Sequence, residues 1–265
     1  FVVVATPHNL HCTQTVKALD LGIHVLCEKP MSDSLSDALL MKNAAAKSGA
    51  VLSVGFMMHF NPAFIHIKQL IDDEELGNIL AIQYKVGSYI TLVNSRSHYQ
   101  ADLNGALLMD YAHQPDIVYW LTGKKPKGVY CSGVYGGNID LSSNPNALTM
   151  VWDYEEPLVA TIMLNYLQSP ERNECEIVGD KGWAVYDMKS GELRIGNREN
   201  ESVSSQIFEM ERDSMYIEEH RVFLESMDQG RSLSSPAEEA IVSMEIIEAA
   251  LKSRELNARV VIAGA

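Results

Sequence analysis

Three strings in the chain combine residue types that can do chemistry. The first is Thr6-Pro7-His8-Asn9-Leu10-His11. The second runs Gly22-Ile23-His24-Val25-Leu26-Cys27-Glu28-Lys29-Pro30, and the third Gly105-Ala106-Leu107-Leu108-Met109-Asp110-Tyr111-Ala112-His113-Gln114-Pro115-Asp116. An ammonium beside a reacting hydroxyl or carbonyl oxygen can donate a hydrogen bond and stabilise the charge that develops there, which is a role open to Lys29. Pro30 fixes the backbone after it, so the lysine stem leaves in a constrained direction. Oxidising a secondary alcohol also needs a base for the hydroxyl proton, and imidazole is the side chain that ordinarily titrates closest to neutrality. His113 is therefore the candidate base. On a helix, Asp110 lies three residues away on the same face, where it can hold the substrate or orient the ring. Each string also has a plainer reading. Thr6-Pro7 stops a strand, Glu28-Lys29-Pro30 is a solvated turn, Asp110 caps a helix and His113 is a satisfied core histidine.

The elements that must position these residues can be read from apolar periodicity. Phe1 to Ala5 is a continuous apolar run, as in a parallel strand covered on both faces. A helix over about His11 to Leu21, a strand over Ile23 to Cys27, a helix over Ser34 to Lys47 and a strand over Ala50 to Phe56 follow, with Gly22 and Gly49 at the helix ends. Strand, helix, strand, helix, strand with short turns describes a wound parallel sheet. Glu28-Lys29-Pro30 and Thr6-Pro7 then fall at the carboxyl ends of successive strands, where open α/β sheets bind ligands. After Asn61-Pro62 the pattern changes. A helix to about Asp73, a strand from Ile79 to about Tyr89 and a helical stretch from Gly105 to Leu121 precede several extended runs between Lys127 and Met210. These include Val129 to Val134, Ala147 to Trp152, Leu158 to Leu164, Cys175 to Val178 and Gln206 to Glu209. Helices over Tyr216 to Met227 and Ala237 to Arg254, then a strand over Ala258 to Ile262, close the chain. The expected fold class is α/β: a partial Rossmann-type parallel sheet, residues 1–56, followed by an α+β domain with a large, mostly antiparallel open sheet, residues 57–265.

In order and spacing the strings resemble T-P-x-x-x-H, H-V-x-x-E-K-P and G-G-x-L-x-D-x-x-(x)-H-x-x-D of the Gfo/Idh/MocA (glucose-fructose oxidoreductase and inositol dehydrogenase) family. The resemblance implies an oxidoreductase that uses NAD or NADP. It implies cofactor contacts from Thr6, Pro7, His8, His11, Glu28, Lys29 and Pro30, and a catalytic triad of Lys29, Asp110 and His113 whose ammonium and imidazole meet over one bound oxygen. It also implies a cis peptide before Pro30. Substrate contacts are expected from Asp110, His113, Arg96, Tyr99 and neighbouring His98, although a solvated loop is an equal reading of the last three. His59 stands where the family's G-x-x-x-R-F-x-P string has arginine, so a titratable ring replaces a fixed cation there. Pro115 falls inside the expected helix and predicts a kink or a fresh helix start just after His113. No G-x-G-x-x-G turn for a pyrophosphate is present, and alignment on T-P-x-x-x-H leaves about the first 60 to 70 residues of a typical member unmatched, the size of the absent strand-helix units.

The implied reaction moves hydride between nicotinamide and a hydroxyl-bearing carbon of a sugar, cyclitol or related polyol. Relatives with the same motifs include NAD-dependent glycosidases and non-catalytic sugar-sensing proteins, so both alternatives stay open at this point. With 265 residues, 46% of them hydrophobic, the chain can bury a substantial core, and a formal charge of −14 disfavours nucleic acid and anionic membranes as partners. No apolar run is long enough to span a bilayer. Cys12, Cys27, Cys131 and Cys175 show no C-x-x-C pairing, which suits reduced thiols in a cytoplasm. No metal set is read. A homo-oligomer, dimer or tetramer, through the open sheet is implied by the resemblance.

Overall fold

In the computed structural model, which describes residues 1–89, 105–137, 143–209, 211–229 and 233–263, the chain divides into two compact units. One comprises Phe1–Asn61 with Met210–Glu248, the other Pro62–Glu209 with Ala249–Ala265. The first unit opens with β1 (Val2–Val4), α1 (His11–Asp20), β2 (Val25–Glu28), α2 (Leu35–Ser48) and β3 (Leu52–Gly55). The strands form a parallel sheet in that order, with Val3 opposite Leu26 and Cys27 opposite Val54. Val25, Leu26, Cys27, Leu52 and Val54 are buried in it with Leu19, Ala38 and Met41 from the helices. Local chemistry sets the bounds of α2: Ser34 Oγ accepts the Asp37 N–H at 3.2 Å, and Gly49 takes φ 71° just past the last turn. β1 departs from the sequence reading. Among the described residues it is the outer strand of the three, with Val4 buried and Val2 and Val3 exposed.

The second unit begins with α3 (Pro62–Asp72) and β4 (Ile79–Gly87). The stretch expected as one helix is two, α4 (Ala106–Asp110) and α5 (His113–Thr122), followed by β5 (Gly128–Val134), β6 (Ala147–Asp153), β7 (Val159–Asn165), β8 (Arg172–Gly179), β9 (Gly182–Asp187), β10 (Glu192–Asn197) and β11 (Ser202–Ile207). β9 and β10 were not read from the sequence. Glycines at their paired positions conceal them, and the reason is spatial. A Cβ on Gly196 would stand 2.2 Å from the Trp183 indole, so the glycine lets that ring cross the neighbouring strand. Alternation along the strands places Tyr84, Ile162, Met150, Trp152, Cys175 and Tyr186 in the core. Phe64 of α3 packs edge-on to Tyr186 at 5.2 Å.

Two helices follow, α6 (Arg212–Gln229) and α7 (Ala237–Leu256), then β12 (Val260–Val261), which pairs with β5 and completes a nine-stranded sheet in the order β11-β10-β9-β8-β4-β7-β6-β5-β12. β4 and β7 run parallel, and the other pairs are antiparallel. α6 and the first part of α7 group with the first unit. On α6 the buried positions Met215, Glu219, Val222, Phe223 and Ser226 follow helical spacing, and Phe223 meets Phe1 edge-on at 5.8 Å.

Candidate active site

In the first unit the loops after β1 and β2 are tied together by one side chain. His11, 1% exposed at the start of α1, directs Nε2 at the Thr6 carbonyl oxygen (2.8 Å) and Nδ1 at that of Pro30 (2.9 Å). The T-P-x-x-x-H spacing exists to reach this bridge, because one short turn, His8–Leu10, returns the chain so that the sixth residue faces both strand ends. Thr6 is exposed and donates its hydroxyl to Gln14 Oε1 (2.9 Å), Pro7 is half-buried and His8 is buried. Beyond β2, the Glu28 carboxylate accepts the Lys29 N–H (3.3 Å) and lies over Gly55 of the next strand, where an added Cβ would stand 3.2 Å from Oε2. The Lys29–Pro30 peptide is cis, as the resemblance implied. Lys29 is half-exposed at the carboxyl end of the strand, and Pro30 is buried.

His59 is 3% exposed in the short helical turn after β3. Its Nδ1 faces Ser234 O at 2.9 Å and Ser234 Oγ at 3.1 Å, and its ring stacks on Phe56 at 6.2 Å. Segment 234–236 runs along the same strand: the Val54 N–H donates to Ser235 O, and Ser235 Oγ donates to Val54 O.

In the second unit, Asp110 ends α4 and His113 begins α5. The argument that they share one helix face is therefore corrected, because the chain breaks helical geometry at Tyr111 (φ −93°, ψ 33°) between them. The fresh start lies at His113 itself, which puts Pro115 in a first turn whose N–H groups have no helical acceptor in any case. His113 is buried and Asp110 half-buried. Tyr166, the residue after β7, was missed by sequence reasoning. Its hydroxyl donates to Asp110 Oδ2 at 3.1 Å and also lies 3.3 Å from Ala106 O. No local signal marks it, since the contact spans 56 positions.

Glu219 was missed as well, although an acid in a buried helical stripe is a legible anomaly. It is 3% exposed, and neither carboxyl oxygen has a hydrogen-bond partner among the described residues. Burial, reinforced by the Glu28 carboxylate, pushes it up to about 8. Burial likewise pushes the Cys27 thiol up to about 12 and Cys131 to about 11, which leaves them inert, and all four cysteines are free. Arg96, His98 and Tyr99 lie outside the described residues. Among the described residues no three His, Cys, Asp or Glu side chains are grouped to hold a metal ion, and no helix is long and apolar enough to cross a membrane.

Residues 1–56 match the oxidoreductase family with NAD-binding Rossmann fold, and residues 64–185 match the GFO/IDH/MocA C-terminal domain. The chain belongs to the Gfo/Idh/MocA family. Among curated relatives, 2,7-anhydro-N-acetylneuraminate hydratase of Escherichia coli K12 is 28% identical over 205 residues, which cover 74% of this chain and 54% of that protein. Inositol 2-dehydrogenase of Mycolicibacterium gilvum is 27% identical over 204 residues, covering 73% and 54%. The chain thus spans about half the length of the curated relatives it matches. Among solved structures, an inositol dehydrogenase homolog from Azotobacter vinelandii, complexed with NADH and myo-inositol, aligns with a TM-score of 0.82 at 16% identity over 98% of this chain and 77% of that one. The fold of this Gfo/Idh/MocA chain is the one expected: a short parallel sheet, then a large, mostly antiparallel sheet with helices.

Proposed function

We propose that the full-length protein is an NAD(P)-dependent oxidoreductase acting on a hydroxyl-bearing carbon of a sugar, cyclitol or related polyol. The observation that carries this reading is Lys29, half-exposed at the carboxyl end of β2 in a chain of an oxidoreductase family. The residues at the ends of β1 and β2, an ammonium with Thr6, His8 and the exposed Ala5, suit the nicotinamide-ribose end of a dinucleotide. NAD or NADP would supply the hydride acceptor. In this reading Thr6, Pro7, His8, His11, Glu28 and Pro30 shape the ledge it occupies, Glu28 by fixing the Lys29 amide and His11 by holding the two loops at one spacing. Lys29 donates a hydrogen bond to the substrate oxygen and stabilises its developing charge. His113 takes the hydroxyl proton during oxidation and returns it during reduction, and Asp110 accepts a hydrogen bond from the substrate or the imidazole. His59, Arg96 and Tyr99 complete the proposed substrate contacts.

In the full-length protein, Lys29→Ala and His113→Ala should each lower kcat by at least about 100-fold, and in His113→Ala the dinucleotide Kd, measured by fluorescence titration, should change little. Turnover within a few-fold of the parent in both variants would remove them from the chemistry. The hydratase relative favours a second outcome on the same residues. Adding water leaves the oxidation level unchanged, so a transient oxidation followed by reduction would use the same groups. A screen of polyols and glycosides separates the two: net NAD(P)H marks the dehydrogenase, whereas substrate consumption with none marks the redox-neutral reaction.

The partner proposed for the open sheet is a second copy of the chain. Tyr130, Val151, Val159 and Met163, on adjacent strands β5, β6 and β7, present an exposed apolar patch that supports this. Four free thiols support a reducing, cytoplasmic location.

A further inference from the structure

Asp110 occupies a weak position for a residue that must hold its direction. It is the last residue of a five-residue helix, at a break in the chain, with its side chain half-buried. Tyr166 is the opposite. Its backbone N–H donates to Asn146 O at 2.9 Å, its side chain is fully buried, and its ring lies 5.6 Å from that of Tyr111 at a 36° tilt. The strand before it, β7, lies inside the nine-stranded sheet between β4 and β6. The phenol is thus fixed by the scaffold, and its hydroxyl reaches the Asp110 carboxylate.

We infer that Tyr166 is a positioning residue for Asp110: its hydroxyl, held by β7, anchors Oδ2 and so sets the direction in which the carboxylate faces substrate or imidazole. The inference rests on the proposed role of Asp110. One proton stands between two acceptors, Oδ2 at 3.1 Å and Ala106 O at 3.3 Å, and the charged oxygen is the stronger of them. Burial and the Asp110 charge raise the phenol far above its ordinary range, so it stays a donor at any working pH. Anchoring one carboxylate oxygen limits the directions open to the other, and the short helix no longer decides the orientation by itself. Tyr111 is not equivalent, because its hydroxyl meets Asn165 O at 3.5 Å.

A double-mutant cycle on the full-length protein tests this. Tyr166→Phe keeps the ring and removes the hydroxyl, and it should lower kcat/KM about 10- to 100-fold, the range for a hydrogen bond to a charged group. The dinucleotide Kd should stay at the parent value. In an Asp110→Asn background the same change should cost less than about two-fold, because the carboxylate it orients is gone. Equal losses in both backgrounds, or no loss in the parent, would overturn the coupling and leave Tyr166 as a plain structural residue. If Asp110→Asn itself leaves kcat/KM unchanged, the assignment of Asp110 fails first and the coupling falls with it. A protein carrying 3-fluorotyrosine at 166 guards against loss of fold, since it retains ring and hydroxyl while strengthening the donor. A changed kcat/KM at unchanged melting temperature supports the inference, and an unchanged value counts against it.

Discussion

Glu219 sits where helix packing alone would place a leucine, four residues after Met215 and four before Phe223 on the buried stripe of α6. Its carboxyl titrates at about 8 in the folded protein against 4.5 as the ordinary value. Between those limits the folded state keeps a proton that the unfolded chain has released, so stability is fully present below about 4.5 and declines as pH rises toward about 8. Glu219→Gln removes that decline. The variant should match the parent near pH 5 and exceed it at pH 8 by roughly 3 kcal/mol in urea denaturation, and parallel pH profiles would show that Glu219 is not desolvated. Residues differ in how legible they are. Lys29 and His113 stand in short strings whose order carries the information, whereas Tyr166 acts through a contact that depends on where β7 lies. The geometric reason for singling out Asp110 does not hold, since the helix that was to align it with His113 is broken at Tyr111.

At the scale of elements, α4 depends on the residue that precedes it. Gly105 caps it with φ 74°, and an added Cβ would lie 3.0 Å from Leu251 Cδ2. Gly105→Ala combines left-handed strain with crowding and should cost about 1 to 2 kcal/mol by urea denaturation, with a matching fall in kcat/KM as Asp110 shifts. A neutral result would mean that α4 tolerates displacement. Strong punctuation made most elements readable: Ser34 and Gly49 bound α2, and Gly22 follows α1. The elements that were not readable, β9 and β10, each contain a glycine where space is lacking, Gly182 against the Gly196 carbonyl and Gly196 against the Trp183 indole, so their composition argues against strand while their packing requires it.

For the whole molecule, the open face of the nine-stranded sheet predicts assembly. Val151→Asp with Met163→Lys places charges on the exposed apolar patch, and light scattering should show the proposed oligomer shifting to monomer with secondary structure unchanged. An unaltered mass would place the interface elsewhere. The sheet was legible as a class, from alternating runs and turns, but its strand order was not, because nothing local records that β4 pairs with strands far along the chain.

That strand order imposes a timetable. Ile82 is bonded between Ala160 on one side and Ile177 on the other, so the central strand, among the first of its unit to leave a ribosome, must wait for both neighbours to be synthesised. Until then a nine-residue strand has two unfilled edges, each open to mispairing with another chain.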